Sequence, residues 1–260
     1  MNDTAEDQQR FIAPLDTDSV LSVLAAIGTI PLVGREAERG LVDARLTAAA
    51  HASGGVILIS GVPGVGKTRL AAASAVGPDR TVISLRCDEH LGDVPYFPFS
   101  SPAAGLGDIS ALLASPGSVT DSVTTRWDLF EEVNRLVGQR TGENMCVLLI
   151  DQLEWIDAAS LDLLRYLVRR GHAMLATMRV GASQIDSPLG QMLADWNHER
   201  LLLEVPLALL DWSASDELVA HLLGAVDLDL RKDIYSRTNG HPFLIEELIR
   251  FLHRGIHQPP

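Results

Sequence analysis

The stretch Gly61-Val62-Pro63-Gly64-Val65-Gly66-Lys67-Thr68 has the spacing G-x-x-x-x-G-K-T, and each fixed position in it meets a requirement of holding phosphate. Glycines let successive backbone N–H groups turn toward one point. The first turn of a following helix adds its positive end, so the loop becomes an anion cradle. Lys67 supplies a point charge for β- and γ-phosphates, and the Thr68 hydroxyl suits Mg²⁺. Pro63 stiffens the loop and withholds a donor where the chain bends. The residues expected to face a nucleotide here are Gly61, Pro63, Gly64, Val65, Gly66, Lys67, Thr68 and Arg69.

A divalent cation needs a second anchor. Asp151 ends the apolar run Cys146-Val147-Leu148-Leu149-Ile150, which places a carboxylate at the tip of a buried strand. With Thr68 it forms the expected metal pair. Gln152 follows, where many nucleotide hydrolases carry a second acid that polarises the attacking water. An amide orients water but takes no proton from it. Glu154 and Asp157 lie just beyond. Arg179 follows the apolar segment at 172–177, at the strand end where ligands bind in open α/β sheets. The candidate catalytic set is Gln152, Glu154 and Arg179, with Thr177 as a polar sensor on the same strand. A cradle without the second acid implies firm binding of ATP or GTP with Mg²⁺ and slow or absent hydrolysis.

The elements needed to position these groups are legible. Val56-Ile57-Leu58-Ile59, bounded by glycines, reads as a buried strand, and Lys67–Ala75 as the helix behind the loop. Further strands are expected at about 81–85, 146–150, 172–177 and 201–205, with helices at about 18–27, 35–52, 125–140 and 158–170. The Gly-, Pro- and Ser-rich stretch at about 88–125 reads as an irregular connection. Strand–helix alternation up to Pro206 indicates an α/β fold, a three-layer αβα sandwich with a parallel five-stranded sheet. Helices alone are expected afterwards, at about 213–224, 228–238 and 242–254. The expected organisation is an N-terminal extension over 1–30, a nucleotide-binding α/β domain over 31–206 and a small helical lid over 207–260.

Composition narrows the partners. The formal net charge of −13 repels a phosphate backbone, and no Lys/Arg run offsets it, so direct nucleic-acid binding by this segment is not expected. The two cysteines, Cys87 and Cys146, sit in or beside apolar runs without metal spacing and read as reduced buried thiols. No secretory signal and no membrane-spanning stretch is recognisable, so a cytoplasmic location is expected.

Several blocks resemble a known group. Leu32-Val33-Gly34-Arg35-Glu36 resembles the h-V-G-R-E opening of AAA-type and signal-transduction (STAND) ATPases. Ile150-Asp151-Gln152-Leu153-Glu154-Trp155-Ile156-Asp157-Ala158-Ala159-Ser160-Leu161 is similar to the DDLHWAD-x-x-S-L block of the large ATP-binding LuxR-type transcriptional regulators. Cys87-Asp88-Glu89 with Pro95-Tyr96-Phe97-Pro98-Phe99 resembles their second-strand block, and Asn239-Gly240-His241-Pro242 through Leu248 their G-x-P-x-x-x-E-E-L lid motif. The chain departs from that pattern at Gln152, usually a second Asp, and at Glu154, usually His or Gln.

The resemblance implies a phosphate-loop strand between the fourth and fifth strands, with Val33 and Arg35 near the adenine or ribose. It implies that Gly240, His241 and Pro242 close over the base, and that ADP-bound closed and ATP-bound open states make the domain a switch. Residues 1–260 hold none of that family's winged-helix, repeat or helix-turn-helix regions, as in a piece of a longer regulator or a stand-alone remnant. The expected partners are nucleotide and either self-association or an intramolecular effector domain. The leading expectation is the ATP-binding switch of a LuxR-type regulator. An actively hydrolysing AAA-type ATPase and a catalytically silent, nucleotide-stabilised scaffold are the alternatives.

Overall fold

The computed structural model describes residues 32–51, 54–100, 104, 106, 123–182 and 186–256. The expected extension over 1–30, with its helix at 18–27, and much of the connection at 88–125 lie outside the described residues. The chain divides between Ala208 and Leu209, and Leu32–Gly34 sit with the later unit rather than with the α/β one.

The unit Arg35–Ala208 is a five-stranded sheet with helices on both faces. In chain order it contains α1 (Glu36–His51), β1 (Gly55–Gly61), α2 (Lys67–Ala75), β2 (Arg80–Arg86), α3 (Phe97–Ser100), α4 (Val123–Thr141), β3 (Met145–Asp151), a 3-10 turn (Leu153–Trp155), α5 (Ala158–Arg169), β4 (Ala173–Arg179), α6 (Pro188–His198) and β5 (Leu202–Leu207). Strand order is β2-β3-β4-β1-β5, and every pairing is parallel. The strand before the phosphate loop therefore lies between β4 and β5, as the resemblance implies.

Parallel strands put all carboxyl ends on one edge, and register sets their heights. Gly61 pairs with Arg179 of β4 and with Leu207 of β5, while Asp151 pairs with Arg86. All of β1 is buried, which explains its unbroken apolar run. Val56 and Leu58 share one core with Leu148, Ile150, Met174 and Ala176 and the apolar sides of α4, α5 and α6, including the fully buried Trp196. The β1 residues that alternate with them, Ile57 and Ile59, point to the opposite face, where α1 and α2 pack.

Two local departures from the sequence reading have clear causes. Strand β5 continues through Pro206, which pairs with Ser60. It pairs only with β1, so as an edge strand it tolerates a residue without an N–H. The sequence reading also passed over α6. Its start is signalled by Ser187-Pro188: the Ser187 hydroxyl accepts the Gly190 N–H at 3.0 Å, and Pro188 occupies the first turn.

The second unit contains α7 (Trp212–Leu223), α8 (Leu228–Thr238) and α9 (Pro242–Ile256). Asp211 and Asp227 cap α7 and α8 by accepting the N–H groups of Ala214 and Leu230 at 2.8 and 2.7 Å. Leu210, Ala214, Leu218, Val219, Ile234, Ile245 and Ile249 form its core, together with Val33. Between α8 and α9 the chain turns through Asn239 (φ 49°) and Gly240 (φ 74°). A Cβ at Gly240 would lie 1.9 Å from the Leu210 carbonyl oxygen, so only glycine fits there.

Candidate functional site

The loop after β1 turns at Gly64 (φ 73°) and Gly66 (φ 101°) before α2 begins at Lys67. A Cβ at Gly66 would meet no atom within 4 Å, so that glycine is required by its backbone angle and faces open space. Gly61 is required by crowding, since its Cβ would sit 2.9 Å from Val65 and 3.0 Å from the Leu207 carbonyl. Pro63 and Gly64 are exposed, Val65 is buried, and Lys67, Thr68 and Arg69 are half-buried on the first turn of α2.

The Lys67 ammonium folds over its own loop and donates to the carbonyls of Gly61 and Val62 at 3.0 and 2.9 Å. Partial burial holds its pKa below the ordinary lysine value. The carboxylates of Glu154 and then Asp151 work against that shift, and the Arg179 guanidinium adds to it.

Three side chains from three elements meet at the tip of β3. The Asp151 Oδ1 atom accepts the Thr68 hydroxyl at 2.8 Å and the Thr177 hydroxyl at 2.5 Å. Thr177 Oγ1 in turn accepts the N–H of Gln152 at 3.0 Å. Gln152 occupies the left-handed region (φ 58°, ψ 52°), which lets the chain leave β3 at once into the 3-10 turn. That turn carries Glu154, whose side chain is only 4% exposed. Its carboxylate meets Arg179 twice, with Oε1 3.2 Å from Nε and Oε2 accepting the backbone N–H at 3.4 Å. The Arg179 guanidinium also lies over the Trp155 ring, 5.8 Å from its centre.

Asp157 is tied up elsewhere. Its Oδ1 atom accepts the N–H of Ser160, capping α5, and that of Tyr96 at 2.9 Å. In the sequence Asp157 stands only as an acid beyond the strand, and the bond to Tyr96, held at φ 60°, has no local signal. The Trp155 ring beneath Arg179 was likewise missed.

The remaining candidates are dispersed. Arg35 is 5% exposed and acts as a clamp: one guanidinium nitrogen bonds Glu38 at 3.0 Å, and the other bonds the carbonyls of Ala208 at 2.6 Å and Val65 at 3.4 Å. It thus holds the back of the loop and the chain leaving β5. Val33 belongs to the core of the helical unit. In that unit His241 and Pro242 are half-buried at the start of α9, where the His241 N–H bonds the Thr238 carbonyl and its own carbonyl accepts from Ile245.

The donor set fits Mg²⁺ with a triphosphate. Thr68 spends its proton on Asp151 and keeps lone pairs for a cation, and Asp151 is fixed by two hydroxyls. Among the described residues no group of three or more His, Cys, Asp or Glu forms a metal cage. A cation there would complete its shell from phosphate oxygens and water, as Mg²⁺ does.

A model of the AAA ATPase domain matches residues 31–179. The chain belongs to that family. A family described as a domain of unknown function, DUF8739, matches residues 212–255 in the helical unit. No curated protein matches the chain significantly.

Among solved structures, a Walker-type ATPase of Pyrococcus abyssi is similar at 18% identity and a TM-score of 0.57, over 86% of this chain and 69% of that one. A STAND protein of Pyrococcus horikoshii with a tetratricopeptide repeat sensor matches at 19% identity and a TM-score of 0.44, over 81% of this chain. The present chain spans 28% of the Pyrococcus horikoshii protein. The RuvB Holliday junction branch migration motor of Thermotoga maritima matches at 20% identity and a TM-score of 0.48, over 84% of this chain and 61% of that one. At its identity the likeness to the Pyrococcus abyssi ATPase shows the fold alone. Among the described residues of this AAA ATPase domain, no helix is long and apolar enough to cross a membrane.

Proposed function

We propose that this AAA-type domain is a Mg²⁺-dependent ATP-binding switch that hydrolyses its nucleotide slowly or not at all, and that it serves a LuxR-type transcriptional regulator. The binding part rests on the loop and the Thr68–Asp151 pair. Lys67 would turn from its own carbonyls to the β- and γ-phosphates, and the loop amides would take the remaining phosphate oxygens. Bound Mg²⁺ supplies charge neutralisation across those phosphates.

The observation that carries slow turnover is the state of the acids beyond the strand tip. Gln152 stands beside Asp151, Glu154 is paired with Arg179, and Asp157 holds two backbone N–H groups. A general base must bring a free proton acceptor within reach of the attacking water, and each carboxylate beyond the strand tip already has another occupation. The regulator assignment rests on the sequence blocks at 150–161 and 239–248.

Single-turnover hydrolysis of radiolabelled Mg-ATP tests the first part, with an expected half-life of many minutes. Turnover of several per second would instead favour a working AAA ATPase, with Glu154, three residues beyond Asp151, as its base. Light scattering tests the switch: ATP and ADP forms are expected to differ in size or association state, and identical profiles would favour a scaffold. The reading frame beyond codon 260 tests the regulator assignment. Winged-helix, repeat and helix-turn-helix regions are expected there, and a different effector would replace that part of the proposal.

A further inference from the structure

An ion pair at the strand tips joins two residues of opposite tendency. Arg179 is 45% exposed and ends β4 level with Gly61, where a phosphate-bound guanidinium would be useful. Its partner is almost wholly buried and cannot follow it outward. Glu154 also contributes the strongest carboxylate influence on the Lys67 ammonium, ahead of Asp151. The same carboxylate that pairs with Arg179 therefore also acts, by its charge, on Lys67.

Resting on the nucleotide-binding reading above, we propose that Glu154 is a positioning residue that latches Arg179, so that a γ-phosphate gains the guanidinium only by displacing a resident carboxylate. In the described state Arg179 is held by Glu154 Oε1 and by the face of Trp155. A terminal phosphate presents more charge and more acceptor oxygens than one carboxylate, so it wins the guanidinium, but at a reduced margin. ADP offers no γ-phosphate and leaves the latch closed. The latch thus lowers the preference for ATP over ADP. Tight discrimination would need the loss of Glu154 or an additional contact. Arg179 moving off Trp155 gives the displacement an optical signal.

The test is a double-mutant cycle read as the ratio of Mg-ADP to Mg-ATP dissociation constants, measured by calorimetry on the whole chain. Glu154→Gln keeps the shape and removes the charge, and it is expected to raise the preference for ATP about three- to fivefold, the range of a partly exposed ion pair. Arg179→Ala is expected to lower the preference. In the Arg179→Ala background, Glu154→Gln is expected to leave the ratio unchanged.

An equal rise in both backgrounds would show that Glu154 repels the γ-phosphate directly, and it would overturn the latch. So would a Glu154→Gln ratio equal to that of the wild type. The second readout is tryptophan fluorescence: ATP, not ADP, is expected to change it, and Trp155→Phe is expected to abolish the change. Failure of the unsubstituted chain to bind Mg-ADP would overturn the site itself and the latch with it. Normal ADP binding with a flat cycle would overturn the latch alone.

Discussion

The hydroxyl of Thr177 joins the metal-anchoring carboxylate to the backbone beyond it, and substituting it isolates that joint. Thr177 is 1% exposed, donates to Asp151 Oδ1 at 2.5 Å and accepts the Gln152 N–H at 3.0 Å. Thr177→Val keeps the volume and removes both bonds. A hydrogen bond to a charged group contributes about 1.5–3 kcal/mol, and a buried N–H left without a partner costs about 1–3 kcal/mol. Asp151 and Gln152 are only half-buried, so water recovers part of each. The net loss is about 2–4 kcal/mol, or roughly 4–16 °C in Tm for a unit of this size.

Thr177→Ser is the informative partner. It loses one methyl group, about 1 kcal/mol, and keeps both bonds. Thermal unfolding followed by circular dichroism is expected to rank wild type above Ser above Val. Packing alone would reverse the last two, because valine fills the site and serine does not. A Val variant as stable as wild type would refute the role assigned to this hydroxyl.

Other consequences are equally concrete. Arg35→Lys loses the forked contacts to Ala208 and Val65, and it is expected to cost about 2–3 kcal/mol in urea unfolding and to weaken nucleotide binding several-fold. Gly240→Ala forces a Cβ against the Leu210 carbonyl at φ 74° and is expected to cost at least about 3 kcal/mol, lowering the urea midpoint of the helical unit. Burial pushes the Cys146 thiol up to about 12 from 9.0 and the Cys87 thiol higher still, the latter aided by Asp157, Asp151 and Glu154. Both raised values mean that the unfolded chain ionises first. The thiol contribution to stability is intact below pH 9 and falls above it by about 1.4 kcal/mol per thiol per pH unit. Urea unfolding at pH 8 and 10 measures this, and replacing both cysteines with alanine is expected to flatten the slope.

The strands and the phosphate loop were legible because their signals are local. A buried parallel strand needs an apolar run, and a phosphate cradle needs glycines, lysine and threonine at fixed spacing. Where partners come from distant elements, residue type alone did not choose between them. The resemblance implies Arg35 near the adenine or ribose, while the structure shows its guanidinium on the carbonyls at 65 and 208, the latter 173 residues away. The resemblance implies Val33 beside it, and in the structure that apolar side chain belongs to the core of the helical unit. Glu154 and Arg179 were both visible as candidates. Their pairing depends on the left-handed Gln152, which redirects the chain at the strand tip, and no sequence period announces a positive φ at a non-glycine residue.

Everything functional depends on whether the amides of the loop, Lys67 and the Thr68–Asp151 pair capture a phosphate chain around Mg²⁺. Titration calorimetry of the wild type and Lys67→Ala with ADP and ATP, each with Mg²⁺ and with EDTA, measures this directly. Saturable one-to-one binding that weakens without Mg²⁺ and is lost in Lys67→Ala is the expected result. Absent binding in the wild type, or equal affinity in the variant, would contradict the account.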